Sequence, residues 1–245
     1  MGHLDYTSFA QRHRPHFHPI GAELFLTYRL AGTIPRETVR FYKAKRDWLS
    51  NEMRRISSKI LDSPDSLNQD QFTRLETFER QWFSKFEEIL HKSQFGPSWL
   101  KENAIAKIVA DGIESLDGEA YRLDAYSIMS NHVHVVFKPL LGADESIETY
   151  DSHGGLVIDS AHPSLARIMQ TLKGRSAYDC NKVLGRRGQF WEHENFDRVI
   201  RPGKFDSTIR YVLKNPVKAG LVDGWRKWQW NYLRKDLALD FDVER

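Results

Sequence analysis

The chain has 245 residues, of which 40% are hydrophobic and 28% are charged, and its formal net charge is +3. This composition supplies a core for one large folded domain and excludes a chain that is disordered throughout. The single cysteine, Cys180, excludes an intramolecular disulfide and a cysteine-based zinc site. No run of about 18 apolar residues is present, so a transmembrane helix is excluded and we expect a cytoplasmic protein.

The N-terminal half combines one strand with long helices. Residues 23–30, ELFLTYRL, alternate between core-type and polar side chains and predict the first strand. From 36 to 92 the sequence becomes charged, with apolar stripes that are typical of helices, and Pro64 marks the only obvious break. We interpret 36–92 as an antiparallel helical hairpin inserted after the first strand.

The rest of the chain predicts shorter elements. In chain order they are a helix over 97–113, strands over 121–129 and 132–138, a loop over 140–162, a helix over 163–181, strand character within 188–200, a helix over 207–215 that Pro216 interrupts, and a C-terminal extension over 225–245. This order predicts a single α+β domain over 1–245, in which an antiparallel sheet is covered by helices. A ferredoxin-like arrangement is the nearest common architecture.

Two histidines lie on one face of a predicted strand. In the stretch NHVHVV, His132 and His134 are two residues apart, so both side chains point to the same side, while Val133 and Val135 point to the other. Imidazole binds Zn, Mn, Fe, Ni and Cu, and it accepts Mg²⁺ when oxygen ligands complete the shell. Alone, such a pair is more typical of two polar strand side chains than of a metal site.

A second histidine group competes as a metal site. His13, His16 and His18 lie in the segment RHRPHFHP, which proline interrupts. Because this arm has no rigid frame, we interpret it as a surface or DNA-contacting arm and not as a set of ligands.

The helix that contains Tyr211 shows an unusual distribution of side chains. At about 100° per residue, Ile209, Val212 and Leu213 share one apolar sector. Tyr211 and Asn215 lie roughly opposite that sector, one turn apart. Asn215 precedes Pro216, which predicts a position near the helix end. The alternative interpretation is a surface tyrosine followed by a C-capping asparagine.

The two motifs together predict one chemistry. A divalent ion held by His132, His134 and the amide oxygen of Asn215 keeps open positions for a phosphodiester oxygen and stabilises the departing 3′-oxygen. The hydroxyl of Tyr211 attacks the phosphorus and becomes a covalent 5′-phosphotyrosine. A second 3′-hydroxyl can then reverse the step and rejoin the strands.

These motifs resemble a known family of enzymes. AYSIMSNHVHVV followed about eighty residues later by RYVLKNPVKAGLV is similar to the single-tyrosine transposases with a His-hydrophobic-His motif, and most to the REP-associated tyrosine transposases. TYRLAG, GPSWL and GQFWEHENFDRVIR support the resemblance, which covers about 20–35 and 95–225. The resemblance implies a ferredoxin-like fold, Mg²⁺ or Mn²⁺, and cleavage and rejoining of single-stranded DNA with REP-type hairpins. It implies Tyr211 as nucleophile and His132, His134 and Asn215 as metal ligands.

Basic residues cluster in sequence around the predicted active site and predict contacts to DNA phosphates. The candidates are Lys173, Arg175, Arg198, Arg201, Lys204, Lys214 and Lys218.

Other functions stay open at this point. One alternative is a domesticated DNA-binding protein that no longer cleaves, and another is a replication-initiator-type nickase. A metal-dependent phosphodiesterase without a covalent step would leave Tyr211 unexplained. For the assembly we favour a monomer, with a dimer as the alternative.

Overall fold

The structure is a computed structural model that describes residues 21–57, 64–140, 146–150, 156–160 and 165–241. The histidine group at 13–18 lies outside these residues. The strands are β1 Leu24–Arg29, β2 Tyr121–Ile128, β3 His132–Pro139, β4 Ser146–Tyr150, β5 Leu156–Ser160, β6 Phe196–Val199 and β7 Asn231–Leu233. The helices are α1 Arg36–Ser57, α2 Pro64–Lys92, α3 Asn103–Glu114, α4 Leu165–Val183, α5 Phe205–Lys218 and α6 Ala238–Phe241.

Five strands form the central sheet in the order β6-β1-β3-β2-β7, and every neighbouring pair is antiparallel. The central strands β1 and β3 are almost wholly buried, which agrees with their apolar and β-branched composition. The order β6-β1-β3-β2, with helices between β1 and β2 and between β3 and β6, is a ferredoxin-like arrangement. The predicted α+β fold is therefore confirmed.

Helices cover both faces of the sheet. On one face α3 and α4 pack against Val133, Val135 and Phe137, the apolar side of β3. On the other face α5 packs its apolar stripe of Ile209, Val212 and Leu213 onto the sheet. This second face is the one that carries the two histidines, so α5 and the histidine pair lie on the same side of the sheet.

The helices α1 and α2 contact each other and return the chain to this second face. Tyr42 of α1 stacks on Trp82 of α2 with a ring-centroid distance of 3.3 Å. Near the end of α2, Phe83 and Leu90 are buried. The predicted helices over 36–92 are thus present, and the last turns of α2 lie against the sheet.

A pair of glycines fixes the chain just after α2. Gly96 has a φ of +69°, and a Cβ at that position would lie 2.5 Å from the carbonyl oxygen of Gly32. Because this contact is with backbone, no side chain fits without moving the chain that follows β1. The close approach holds the end of α2 near the end of β1.

Two predictions of local structure need correction. The segment 140–162 was expected to be a loop, whereas β4 and β5 form an antiparallel two-stranded sheet. Both strands carry β-branched and apolar residues, SIETY and LVIDS, whose strand preference outweighs the acidic character of the segment. The helix that holds Tyr211 continues through Pro216 to Lys218. Pro216 removes one hydrogen bond of the helix, and the burial of its ring offsets part of that loss. Among the described residues, no helix is long and apolar enough to cross a membrane.

Candidate active site

The strand β3 places His132 and His134 on the face that α5 covers, and both side chains are buried. In the antiparallel register His134 lies opposite Thr27 of β1. The Nε2 atoms of the two imidazoles are 3.1 Å apart. The two rings therefore converge on one point, as the spacing in sequence predicts.

Hydrogen bonds at the opposite ring nitrogens hold the imidazoles in this orientation. The Oδ1 atom of Asn131 lies 2.7 Å from Nδ1 of His132, and Oγ1 of Thr27 lies 2.8 Å from Nδ1 of His134. Since an amide oxygen only accepts, His132 donates from Nδ1 and its Nε2 carries a lone pair. A buried lone pair aimed at a second imidazole nitrogen fits a bound cation between them.

The helix α5 supplies Tyr211 and Asn215 from one face, a turn apart. Asn215 is fully buried and its Nδ2 donates to the carbonyl of Tyr211 at 3.0 Å. The ring of Tyr211 packs edge-on against Phe25 and His134, with centroids 5.8 Å apart in each case. Asn215 is therefore not a surface residue, and Tyr211 is half-buried, with its ring packed into the site.

The helix α2 covers that polar face and adds two residues that the sequence analysis did not identify. Oε2 of Glu87 accepts the Tyr211 hydroxyl at 2.5 Å and lies 3.4 Å from Nε2 of His134. Nε2 of His91 lies 2.7 Å from Oδ1 of Asn215 and 3.6 Å from Oε2 of Glu87. One ligand atom from each of Glu87, His91, His132 and His134 lies within 4.8 Å of the other three. These four side chains can hold a metal ion.

Burial governs the ionisation of the site. Burial lowers the pKa of His132 and of His91, so both favour the neutral form that binds cations. Burial alone would raise the pKa of Glu87, but His134 and His132 lower it to about 2. Burial and the adjacent Glu87 carboxylate raise the pKa of Tyr211 well above its usual range. Without a cation, the Tyr211 hydroxyl therefore keeps its proton.

The basic residues that the sequence predicts as DNA contacts lie in different parts of the structure. Arg198, Arg201 and Lys204 line one groove beside the site. The ammonium of Lys218 lies 4.7 Å from the centre of the Tyr211 ring. Arg175 is exposed on α4, and the exposed Lys214 borders a shallow depression with Trp225 and Phe241.

Lys173 does not fit the prediction of a DNA contact. Its ammonium donates to the carbonyl oxygens of Glu192 and His193 at 2.9 and 3.0 Å, and it lies 3.4 Å from Oδ1 of Asn195. Burial lowers the pKa of Lys173 to about 8. Because three protein acceptors already surround this ammonium, we assign Lys173 a structural role.

Comparisons with known proteins give one similar chain of known structure. No family model matches the sequence, and no curated protein matches it. A solved structure described as a REP-associated tyrosine transposase bound to a REP hairpin is similar, with 13% identity over 93% of this chain and 86% of that chain. It belongs to the group of transposases that the sequence motifs resemble. The TM-score of the two chains is 0.40.

Proposed function

We propose that the protein is a metal-dependent transesterase that cuts and rejoins single-stranded DNA, with Tyr211 as the nucleophile. The supporting observation is that Oε2 of Glu87 contacts both the Tyr211 hydroxyl, at 2.5 Å, and Nε2 of His134, at 3.4 Å. The nucleophile and the imidazole pair therefore belong to one site. His132, His134 and Asn215 hold the ion in this proposal, which takes Mg²⁺ or Mn²⁺ as the cofactor.

The residues of the chain can account for each bond and each proton transfer of a transesterification. The Tyr211 oxygen attacks the phosphorus in line, and a bond from that oxygen to phosphorus replaces the bond from phosphorus to the 3′-oxygen. The phenolic proton passes to Oε2 of Glu87, and the departing 3′-oxygen takes a proton from water. When bound, a divalent ion would polarise the phosphate and offset the negative charge on the departing oxygen.

The substrate class follows from the sequence motifs and from the charge around the site. The resemblance of the NHVHVV and RYVLKNPVKAGLV motifs to the REP-associated tyrosine transposases implies REP-type strands that form hairpins. Basic side chains near Tyr211, including Arg198 and Lys218, suit a polyanion. All six polar side chains of the site come from one chain, so we propose that a monomer is sufficient for activity.

A covalent-adduct assay tests the proposal. The protein is incubated with a labelled REP-type hairpin strand and Mn²⁺ or Mg²⁺, and adducts are separated by denaturing electrophoresis. We expect an adduct that a chelator abolishes and that Tyr211→Phe cannot form. Tyr178→Phe is the matched control, since Tyr178 is 72% exposed on α4, and it should form the adduct at the wild-type rate.

Two results would overturn the proposal. One is an adduct that persists in Tyr211→Phe, which would assign the nucleophile elsewhere. The other is DNA binding without any adduct under both metals, which would favour the alternative of a DNA-binding protein without cleavage activity.

A further inference from the structure

The last turns of α2 present two potential ligands to the histidine pair. Glu87 and His91 are four residues apart, so they project from the same face of the helix. Their ligand atoms lie within 4.8 Å of those of His132 and His134. We infer that α2 completes the metal site, with Glu87 and His91 as ligands beside the two histidines of β3.

The environment of Glu87 supports this assignment. The residue is 5% exposed, and its Oε1 atom has no hydrogen-bond partner. A buried carboxylate oxygen without a partner is costly, and such atoms are rare in folded proteins. The other oxygen, Oε2, lies within 3.6 Å of Nε2 of both His91 and His134. A cation among these atoms would give the carboxylate a partner.

His91 and Asn215 face the same point. Without an ion, Nε2 of His91 donates to Oδ1 of Asn215 at 2.7 Å, and an ion that displaced this proton would meet both atoms. The Nδ2 atom of Asn215 already donates to the Tyr211 carbonyl, which fixes the direction of its amide. His91 is therefore a ligand in addition to Asn215, and its imidazole binds the ion more strongly than the amide oxygen of Asn215.

This donor set has a consequence for the choice of metal. Three imidazoles and one carboxylate suit transition metals, whereas Mg²⁺ prefers an octahedral shell of oxygen atoms. The site should therefore bind Co²⁺, Mn²⁺ or Zn²⁺ more tightly than Mg²⁺. The inference concerns the same site as the proposed function, but metal binding is measurable without DNA and without turnover.

The test is a metal titration of the chelator-treated protein in the absence of DNA. Co²⁺ binding is followed by visible absorption, and Mn²⁺, Zn²⁺ and Mg²⁺ binding by calorimetry. We expect one ion per chain, and a loss of Co²⁺ affinity of at least about tenfold in both Glu87→Gln and His91→Ala. Asn215→Ala should lose less than His91→Ala. Glu88→Gln is the control, because Glu88 follows on the same helix and pairs with the exposed Lys85 and Lys92.

Wild-type Co²⁺ affinity in Glu87→Gln and His91→Ala would overturn the inference, as would Mg²⁺ binding that equals Co²⁺ binding. Thermal unfolding checks that each variant is folded, and His91→Ala decides the result if Glu87→Gln does not fold. The outcome is separable from the proposed function. If neither substitution changed the metal affinity and the protein still formed adducts, α2 would not contribute ligands to the metal site. The proposed transesterase activity would stand.

A groove with a volume of about 400 Å³ lies between the α1–α2 pair and the β6–α5 segment. Its exposed basic side chains outnumber the two acidic residues, Glu194 and Asp197, at its edge. These basic residues are Lys43, Arg80, Arg198, Arg201 and Lys204.

The groove also has aromatic side chains, and one of its basic residues, Arg198, is connected to Tyr211 through the ring of Phe25. Tyr42 and Trp82 are stacked on each other in its wall. The Arg198 guanidinium lies 4.9 Å from the centre of the Phe25 ring, and that ring contacts Tyr211. We infer that the groove binds the single-stranded flank of the DNA substrate, with phosphates on the basic groups and a base against the Tyr42–Trp82 pair. This inference rests on the proposed function.

Binding of a fluorescent oligothymidylate tests the groove in the presence of chelator and in the Tyr211→Phe background, so that cleavage plays no part. The double variant Arg80→Ala, Lys204→Ala should weaken binding and reduce the slope of log affinity against log salt by roughly 1.4. Lys107→Ala, an exposed lysine on α3, should leave the slope unchanged. An unchanged slope in the double variant would overturn the inference. Groove-dependent binding by a protein that never forms adducts would overturn only the proposed nuclease activity.

Discussion

The hydroxyl of Tyr211 donates to the carboxylate of Glu87 at 2.5 Å, although 124 positions separate the two residues in the chain. The contact joins α5 to α2 across the histidine pair. It explains why a tyrosine on the polar face of α5 is only partly exposed to solvent. It also gives the nucleophile a proton acceptor that is already in place.

Glu87→Gln should slow adduct formation while DNA binding is kept. Glutamine still accepts a hydrogen bond from Tyr211, but it cannot take up the phenolic proton. At saturating metal we expect the single-turnover rate of adduct formation to fall about 10²-fold. Rapid-quench measurements with Glu88→Gln as control would check this, and an unchanged rate at saturating metal would contradict the role of Glu87 as proton acceptor.

Asn131→Ala should weaken both the fold and the metal site. Asn131 is fully buried, its Nδ2 donates to the carbonyl of Leu90 at 3.1 Å, and its Oδ1 accepts from His132. The substitution leaves Nδ1 of His132 without its acceptor, while the Leu90 carbonyl still accepts from Ser93, so we expect a cost of about 1–3 kcal/mol in the free energy of unfolding. Metal affinity should fall by about 10–100-fold because His132 loses its orientation. Denaturant unfolding and Co²⁺ titration would measure the two effects.

Gln229→Ala removes an exposed hydrogen bond to Asn103 and serves as the control for Asn131→Ala. Its unfolding free energy should change by less than about 0.5 kcal/mol. If Asn131→Ala lost stability but kept full metal affinity, Asn131 would position α2 without orienting His132.

Lys173→Met should destabilise the protein without affecting DNA binding. The substitution removes the donor from the carbonyl groups of Glu192 and His193, and we expect a loss of about 1–3 kcal/mol in the free energy of unfolding. The salt dependence of oligothymidylate binding should match that of Lys182→Met, an exposed lysine in the last turn of α4. A reduced salt slope in Lys173→Met would restore the sequence-based prediction of a phosphate contact.

Asp124 should make stability depend on pH. This residue has no exposed surface, and its Oδ2 atom has no hydrogen-bond partner. Burial raises its pKa from 3.8 to about 6, against the opposing effect of Arg122 and Arg234. The unfolded chain releases this proton at lower pH than the folded chain, so the contribution of Asp124 to stability falls as pH rises from about 4 to about 6.

The measurement is the free energy of unfolding of the wild type relative to Asp124→Asn. This difference should shift by about 2 kcal/mol against the wild type between pH 4 and pH 7. Parallel pH profiles for wild type and Asp124→Asn would show that the folded carboxyl titrates normally.

The sheet and half of the site were predictable because local patterns specify them. Alternation predicts β1 and β3, and a spacing of two places His132 and His134 on one face. The distance of Tyr211 from its apolar stripe identified it as unusual. That the helices over 36–92 are an insertion into a smaller domain, with the chain otherwise one domain and 225–245 an extension, stays a prediction.

Glu87 and His91 were not predictable in the same way. On a charged helix, a glutamate and a histidine four residues apart are typical of a solvated ion pair. The available signal was their position next to Phe83 and Leu90, at the edge of the apolar stripe. Only the packing of α2 onto α5, a contact between distant parts of the chain, converts that pair into part of a buried site.

Asn131 and the Gly96–Gly32 contact anchor the end of α2. This anchoring limits where residues can be inserted into or deleted from the chain. One extra residue within α2 between Glu87 and Leu90 would turn Glu87 about 100° around the helix axis, relative to the anchored Leu90, and away from the histidines. Residues added near the link between α1 and α2 would leave that register untouched. Divergence in length should therefore be confined to the far end of the helical pair, while its last two turns keep a fixed count.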